Sequence, residues 1–138
     1  MKNLTESRNA EFARRCIEIF ERDYHNGCVR PLDEVLLAAL AMQPHSHYLS
    51  YDTASRMLHA IERHGIDSVV STDITKALYV ELGEQVAKVM QTRRTLSFRR
   101  ALSFVLNFSR PSRFYMSLDT ARRIITPYLS YSICRIRG

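Results

Sequence analysis

Glycine is scarce in this chain and never clustered. The four glycines, at 27, 65, 83 and 138, stand singly. A phosphate-cradling loop needs glycines at fixed close spacing, so GxxxxGK[ST] and GxGxxG are both excluded. GxSxG and HExxH are also absent, which removes the nucleophile elbow and the helical zinc protease site. His45, His47 and Asp52 could be imagined as a constellation. A His-x-His pair in a turn is ordinarily solvated, however, and Asp52 has a sufficient role near a helix start. The expectation is a protein that is not an enzyme, with no catalytic residue and no cofactor.

Cysteine is equally uninformative as chemistry. Cys16, Cys28 and Cys134 are an odd, widely spaced set without a CxxC pair. A disulfide framework calls for even numbers, and a zinc site for ligand spacing that is not here, so buried or incidental thiols are expected and no metal. Proline is as rare as glycine, with four, and no tract is of low complexity, so long disordered linkers are not expected. The longest apolar run, VLLAALAM at 35–42, is far too short to span a bilayer, which argues against a membrane protein. The opening MKNLTESRNAEFARR is polar and lacks the apolar stretch of a secretory signal, so a cytoplasmic location is expected.

The most telling shortage is of acid. From Lys88 to the end there are 11 lysines and arginines, ten of them arginine, against one acid, Asp119. Residues 1–70 carry a formal charge of −2 and residues 71–138 carry +8. Local pairing cannot neutralise such a half, so phosphate or an acidic protein surface is its natural counterpart.

What is present is helical periodicity almost throughout. A first helix is expected at about 6–24, with Phe12, Cys16, Ile19 and Phe20 on one face and Asn26-Gly27 closing it. Pro31 opens a second helix running to about Met42, apolar nearly all round and therefore central. Ser50 has the position of an N-cap for a third, in which Ala54, Met57, Leu58 and Ile61 form the stripe and Gly65 the stop. Residues 66–72 read as a connector. Ser71 or Thr72 caps a fourth helix to about Gln91. Ser97 caps a fifth to about Phe108, with Phe98, Ala101, Leu102, Val105 and Phe108 facing inward. Ser117 caps the sixth, which Pro127 should end or kink.

Two stretches repeat. PHSHYLSYDTASRML from Pro44 and PSRFYMSLDTARRII from Pro111 share seven of fifteen positions at an offset of 67. The expected architecture is a single all-α domain over 1–138, of about six helices, built by duplicating a three-helix unit as halves 6–65 and 73–132. A helix, a proline stop and a capped second helix exposing Thr and Arg resemble a helix-turn-helix in arrangement, although the link is long and lacks glycine.

The copies differ in charge. Ser46 becomes Arg113 and Ser55 becomes Arg122, while Arg93, Arg94, Arg99 and Arg100 have no basic counterparts; at an offset of 67, the last two face Leu32 and Asp33. The expected function is nucleic-acid binding, chiefly to DNA backbone or another polyanion, through Arg93, Arg94, Arg99, Arg100, Ser103, Asn107, Arg113, Arg122 and Arg123. The alternative is an interaction or self-assembly module whose basic half docks an acidic protein surface, including the first half of a second copy in a homodimer.

Overall fold

The computed structural model describes residues 3–137, with side chains as far as Leu129. Cys134, Arg135 and Arg137 have side chains outside the described residues. The described backbone is all-helical: α1 Leu4–His25, α2 Leu32–Leu40, α3 Tyr51–His64, α4 Ile66–Val69, α5 Asp73–Thr92, α6 Phe98–Phe108 and α7 Leu118–Arg137. The chain forms two compact units. One comprises residues 1–42 and 116–138, and the other residues 43–115. The first therefore holds α1, α2 and α7, and the second α3 to α6.

In the first unit α1, α2 and α7 pack pairwise. α1 starts two residues earlier than its apolar pattern requires, because Asn3 Oδ1 accepts from Glu6 N at 2.7 Å and caps it. Its end is pinned by sequence as expected: Gly27 takes φ +70°, and Cys28 N donates to Asp23 O at 2.8 Å. The buried Asp23 carboxylate then receives Arg30 through two bonds of 2.9 and 2.8 Å, which fixes the turn into α2. Phe12, Cys16 and Ile19 from α1, Val35, Leu36 and Ala39 from α2, and Ala121 and Ile125 from α7 are buried. Burial pushes the Cys16 thiol up to about 12, so it is a packing group and not a nucleophile.

Two expectations fail in this unit, and one of two alternatives is decided. α2 is not buried all round, since Leu37 is 55% exposed. Tyr128, which the offset of 67 pairs with Ile61 of the third helix's apolar stripe, is 42% exposed as well. Pro127 does not end α7, which continues to Arg137. Proline deletes one helical N–H, and both Pro127 and Arg123, whose carbonyl loses its partner, are on exposed positions where water can compensate.

In the second unit α5 packs on α6, and α3 packs on both. Side-chain caps open all three helices as the sequence indicates. Ser50 Oγ accepts from Thr53 N at 3.2 Å, Thr72 Oγ1 from Thr75 N at 3.4 Å and Ser97 Oγ from Arg100 N at 3.3 Å. Each such cap is worth roughly 1 kcal/mol. Gly65, at φ +81°, stops α3, and the connector after it contains the single turn α4. The core joins Ala54, Tyr79, Leu82, Val86, Ala101, Leu102 and Val105, with Met57, Leu58 and Ile61 packed against it.

The two links are ordered by polar contacts within this unit. Arg110 donates from Nε to Pro44 O at 2.7 Å and from Nη2 to Gln43 O at 2.9 Å. Gln85 Nε2 donates to Arg110 O at 3.0 Å, and Ser112 N to Glu81 Oε1 at 2.7 Å. Tyr48 sits at φ +54°, a conformation that costs a non-glycine residue about 1 kcal/mol or more. Its N–H reaches Ser46 Oγ at 3.1 Å.

The helix-turn-helix expectation is not met. Ten residues separate α2 from α3 and nine separate α6 from α7. Moreover, the helices flanking each link belong to different compact units. Each link is a crossover between units and not the tight corner that would set a second helix against the first.

Candidate nucleic-acid interface

α6 presents two faces of opposite chemistry. Its inner face, Ala101, Leu102 and Val105, is completely buried. The outer face carries Arg99, Arg100, Ser103, Phe104, Asn107 and Phe108 around a shallow hollow of about 510 Å³. The i, i+4, i+8 spacing of Arg100, Phe104 and Phe108 places them in one stripe. Phe108 is 74% exposed and Phe104 37%, with ring centroids 5.1 Å apart. This corrects the sequence reading in two respects. Phe108 is not a core residue, and where the sequence reading sets Arg99, Arg100, Ser103 and Asn107 opposite the phenylalanines, Phe104 and Phe108 instead share their face. Val105 already fills the last inner position, and α6 ends at Phe108, so no further turn exists to cover its ring.

A groove of about 360 Å³ runs on the other side of Phe104, lined by Gln85, Lys88, Thr92, Arg93 and Ser109. The Arg93 guanidinium lies 5.8 Å from the Phe104 ring centroid. Arg99 lies 5.9 Å from the ring of Tyr51, at the start of α3, and Arg113 lies 4.9 Å from the ring of Tyr115. Rings hold these cations while leaving their donors largely free, unlike a carboxylate partner. Among the described residues no carboxylate pairs with Arg93, Arg94, Arg99, Arg100 or Arg113, all of them exposed. The sequence cause is simple: no Asp or Glu occurs between Glu84 and Asp119.

Arg122 behaves differently and leaves the candidate set. It donates from Nε and Nη2 to Asp33 at 3.0 and 2.7 Å and from Nη1 to Asp119 at 2.9 Å, all within the first unit. The Asp33 carboxyl is held below its usual range by the Arg122 hydrogen bonds. Arg123, also in the first unit, lines a hollow of about 610 Å³ with Glu6, Asn9, Thr120 and Tyr128. The nine sequence-derived residues thus divide. Arg93, Arg94, Arg99, Arg100, Ser103, Asn107 and Arg113 belong to the second unit, and the other two to the first. Ser103 is half-buried and its carbonyl accepts from Asn107 Nδ2 at 2.8 Å.

Lys88, Phe104 and Phe108 were not singled out from the sequence as surface residues. The i+4 and i+8 relations of Phe104 and Phe108 to Arg100 were the available signal. His47, imagined as a solvated turn residue, is buried in the second unit. Burial lowers its pKa, opposed by neighbouring Gln85 and by the charge of Glu81. Neither His47 Nε2 nor Gln85 Oε1 makes a hydrogen bond of full geometry. Among the described residues no three His, Cys, Asp or Glu side chains cluster as metal ligands. No described helix is long and apolar enough to cross a membrane. Comparison with protein-family models, with curated proteins and with solved structures finds no match to this chain.

Proposed function

We propose that this protein binds nucleic acid through the outer face of α6 and the adjoining end of α5, chiefly at backbone phosphates. One observation carries the reading. Four arginines, 93, 94, 99 and 100, are exposed in the second unit with no carboxylate partner among the described residues. Arg99 and Arg100 also stand in the first turn of α6, which contains no acid. Cations there oppose the helix dipole, so helix stability does not account for their presence. An exposed polyanion does, because each phosphate contact releases condensed counterions.

We infer also that the chain is an internal duplication, halves 6–65 and 73–132, in which the third helices have been exchanged. The packing of α1, α2 and α7 has its counterpart in α5, α6 and α3. Ser50 and Ser117 cap α3 and α7 alike, each accepting from the threonine N–H three residues on. The buried residues 35, 36 and 39 of α2 match 101, 102 and 105 of α6 at an offset of 66, one less than in the links. In that register Asp33 and Glu34 correspond to Arg99 and Arg100, which corrects the pairing with Leu32 and Asp33. The partner of Asp33, Arg122, corresponds at offset 67 to Ser55. An ion pair that closes the first unit is thus replaced in the second by an arginine and a serine, and the arginine is left for another partner.

The test is a salt titration of binding to a random-sequence DNA duplex, followed by fluorescence anisotropy. Binding that weakens log-linearly with salt supports the reading, and its slope reports the number of phosphate contacts. No binding at low salt to this duplex or to single-stranded DNA overturns it. The second reading, docking on an acidic protein surface or self-assembly, draws on the exposure of Phe104 and Phe108. It predicts that Arg99→Glu with Arg100→Glu changes the molecular mass in solution.

A further inference from the structure

The exposed phenylalanines of α6 are not explained by phosphate contact alone. A duplex hides the faces of its bases inside the stack and offers phosphates outward, so a phenylalanine on the binding face gains little from it. A single strand offers both phosphates and unstacked base faces. Proteins that hold single strands combine a cationic track with aromatic rings on which successive bases lie. The outer face of α6 has that composition. Phe104 and Phe108 stand side by side with centroids 5.1 Å apart, and Phe108 is 74% exposed. Arg99 and Arg100 border the same hollow at one end, while Arg93 reaches Phe104 from the end of α5. Asn107, between the two rings in sequence, uses Nδ2 on the Ser103 carbonyl, and no residue lining the hollow carries a carboxylate.

We propose that the ligand of this face is single-stranded nucleic acid, its bases stacked on Phe104 and Phe108 and its phosphates held by Arg93, Arg99 and Arg100. This rests on the nucleic-acid reading above and specifies the substrate within it. Charge complementarity selects the occupant. A second copy of the chain meeting this face symmetrically would bring Arg99 and Arg100 against themselves, with no acid between residues 85 and 118 to relieve the repulsion. A strand of phosphates meets no such opposition.

The experiment uses the full chain and two fluorescein-labelled probes, a short oligothymidylate and a DNA duplex of equal length. The single strand binds more tightly than the duplex at the same salt. Phe108→Ala lowers affinity for the single strand about tenfold, the loss expected for one stacked base, and leaves duplex binding unchanged. Phe108→Leu does not restore it, because leucine supplies apolar area without a π face. Since the chain contains no tryptophan, Phe108→Trp introduces a single reporter whose emission is quenched by oligothymidylate and not by duplex. Unchanged circular dichroism and melting temperature establish that each variant is folded, as expected for a ring so exposed. Equal affinities for the two probes, with Phe108→Ala silent, overturn the single-strand assignment while the phosphate-binding reading stands. Full restoration by Phe108→Leu also overturns it, since the ring would then be an apolar contact. Failure to bind either probe at low salt overturns both.

Discussion

α2 and α6 each pack on two helices of their own compact unit and begin with opposite charge. α2 opens with Asp33 and Glu34, which suit the positive end of a helix; α6 opens with Arg99 and Arg100, which do not. Inside, the helices are alike, each burying three apolar residues in the same phase. Outside, α2 sends Asp33 to Arg122 of α7, while Arg99 lies against the ring of Tyr51 on α3 and pairs with no described carboxylate. The inner face of a helix answers to its own unit, and any change there costs packing. The outer face is under no such constraint, and in the second unit it carries positive charge that no described carboxylate compensates.

The comparison breaks most severely if the inner faces are not equivalent. Leu36→Ala and Leu102→Ala, both at fully buried positions, should each cost about 2–5 kcal/mol in urea unfolding. Phe108→Ala, by contrast, should stay within about 0.5 kcal/mol of the parent. A large loss at Phe108 would mean that its exposure is wrongly assigned.

Charge reversal sharpens the outer-face contrast. Arg99→Glu with Arg100→Glu should weaken nucleic-acid binding about 100-fold at moderate salt. The same variant should be no less stable than the parent, and more stable by up to about 1 kcal/mol, because carboxylates suit the first turn. A loss of both binding and stability would assign these arginines to the fold.

A smaller effect comes from moving the ion pair between units. Arg99→Asp with Ser55→Arg rebuilds in the second unit the arrangement of Asp33 and Arg122. A double-mutant cycle on melting temperature should show favourable coupling between the two changes, fading with salt. Asp33→Arg in the first unit should lower the melting temperature modestly. Zero coupling would separate the surroundings of positions 99 and 55 from those of 33 and 122.

The smallest effect concerns the links. His47 corresponds to Phe114, and both are buried. Burial holds the His47 pKa below 6.5, with Gln85 and Glu81 opposing the shift. On acidification the unfolded chain therefore takes up the proton first. The stability contributed by neutral His47 is complete above that ordinary value and falls as pH drops through it toward the folded value. His47→Phe should remove this acid-side loss and raise the melting temperature slightly near pH 5. An unchanged pH profile would show that His47 titrates as it does in the unfolded chain.

Much of this protein follows from local sequence. Ser50, Thr72, Ser97 and Ser117 open their helices, and Gly27 and Gly65 close theirs, because capping and left-handed turns are contests among neighbours in the chain. The apolar stripes of α1, α3 and α5 follow for the same reason, as does the uncompensated charge after Lys88, which is a property of composition. Only tertiary structure decided the rest. Helix periodicity does not say which helix covers which, so nothing local revealed that α7 completes the unit of α1 and α2 while α3 completes that of α5 and α6. For the same reason Phe108, one turn beyond Val105, reads as core until the end of α6 leaves it uncovered. Asp119, three residues before Arg122, was a local sign that Arg122 differs from Arg99, but its pairing with Asp33, 89 residues away, was not; none of the described carboxylates reaches Arg99.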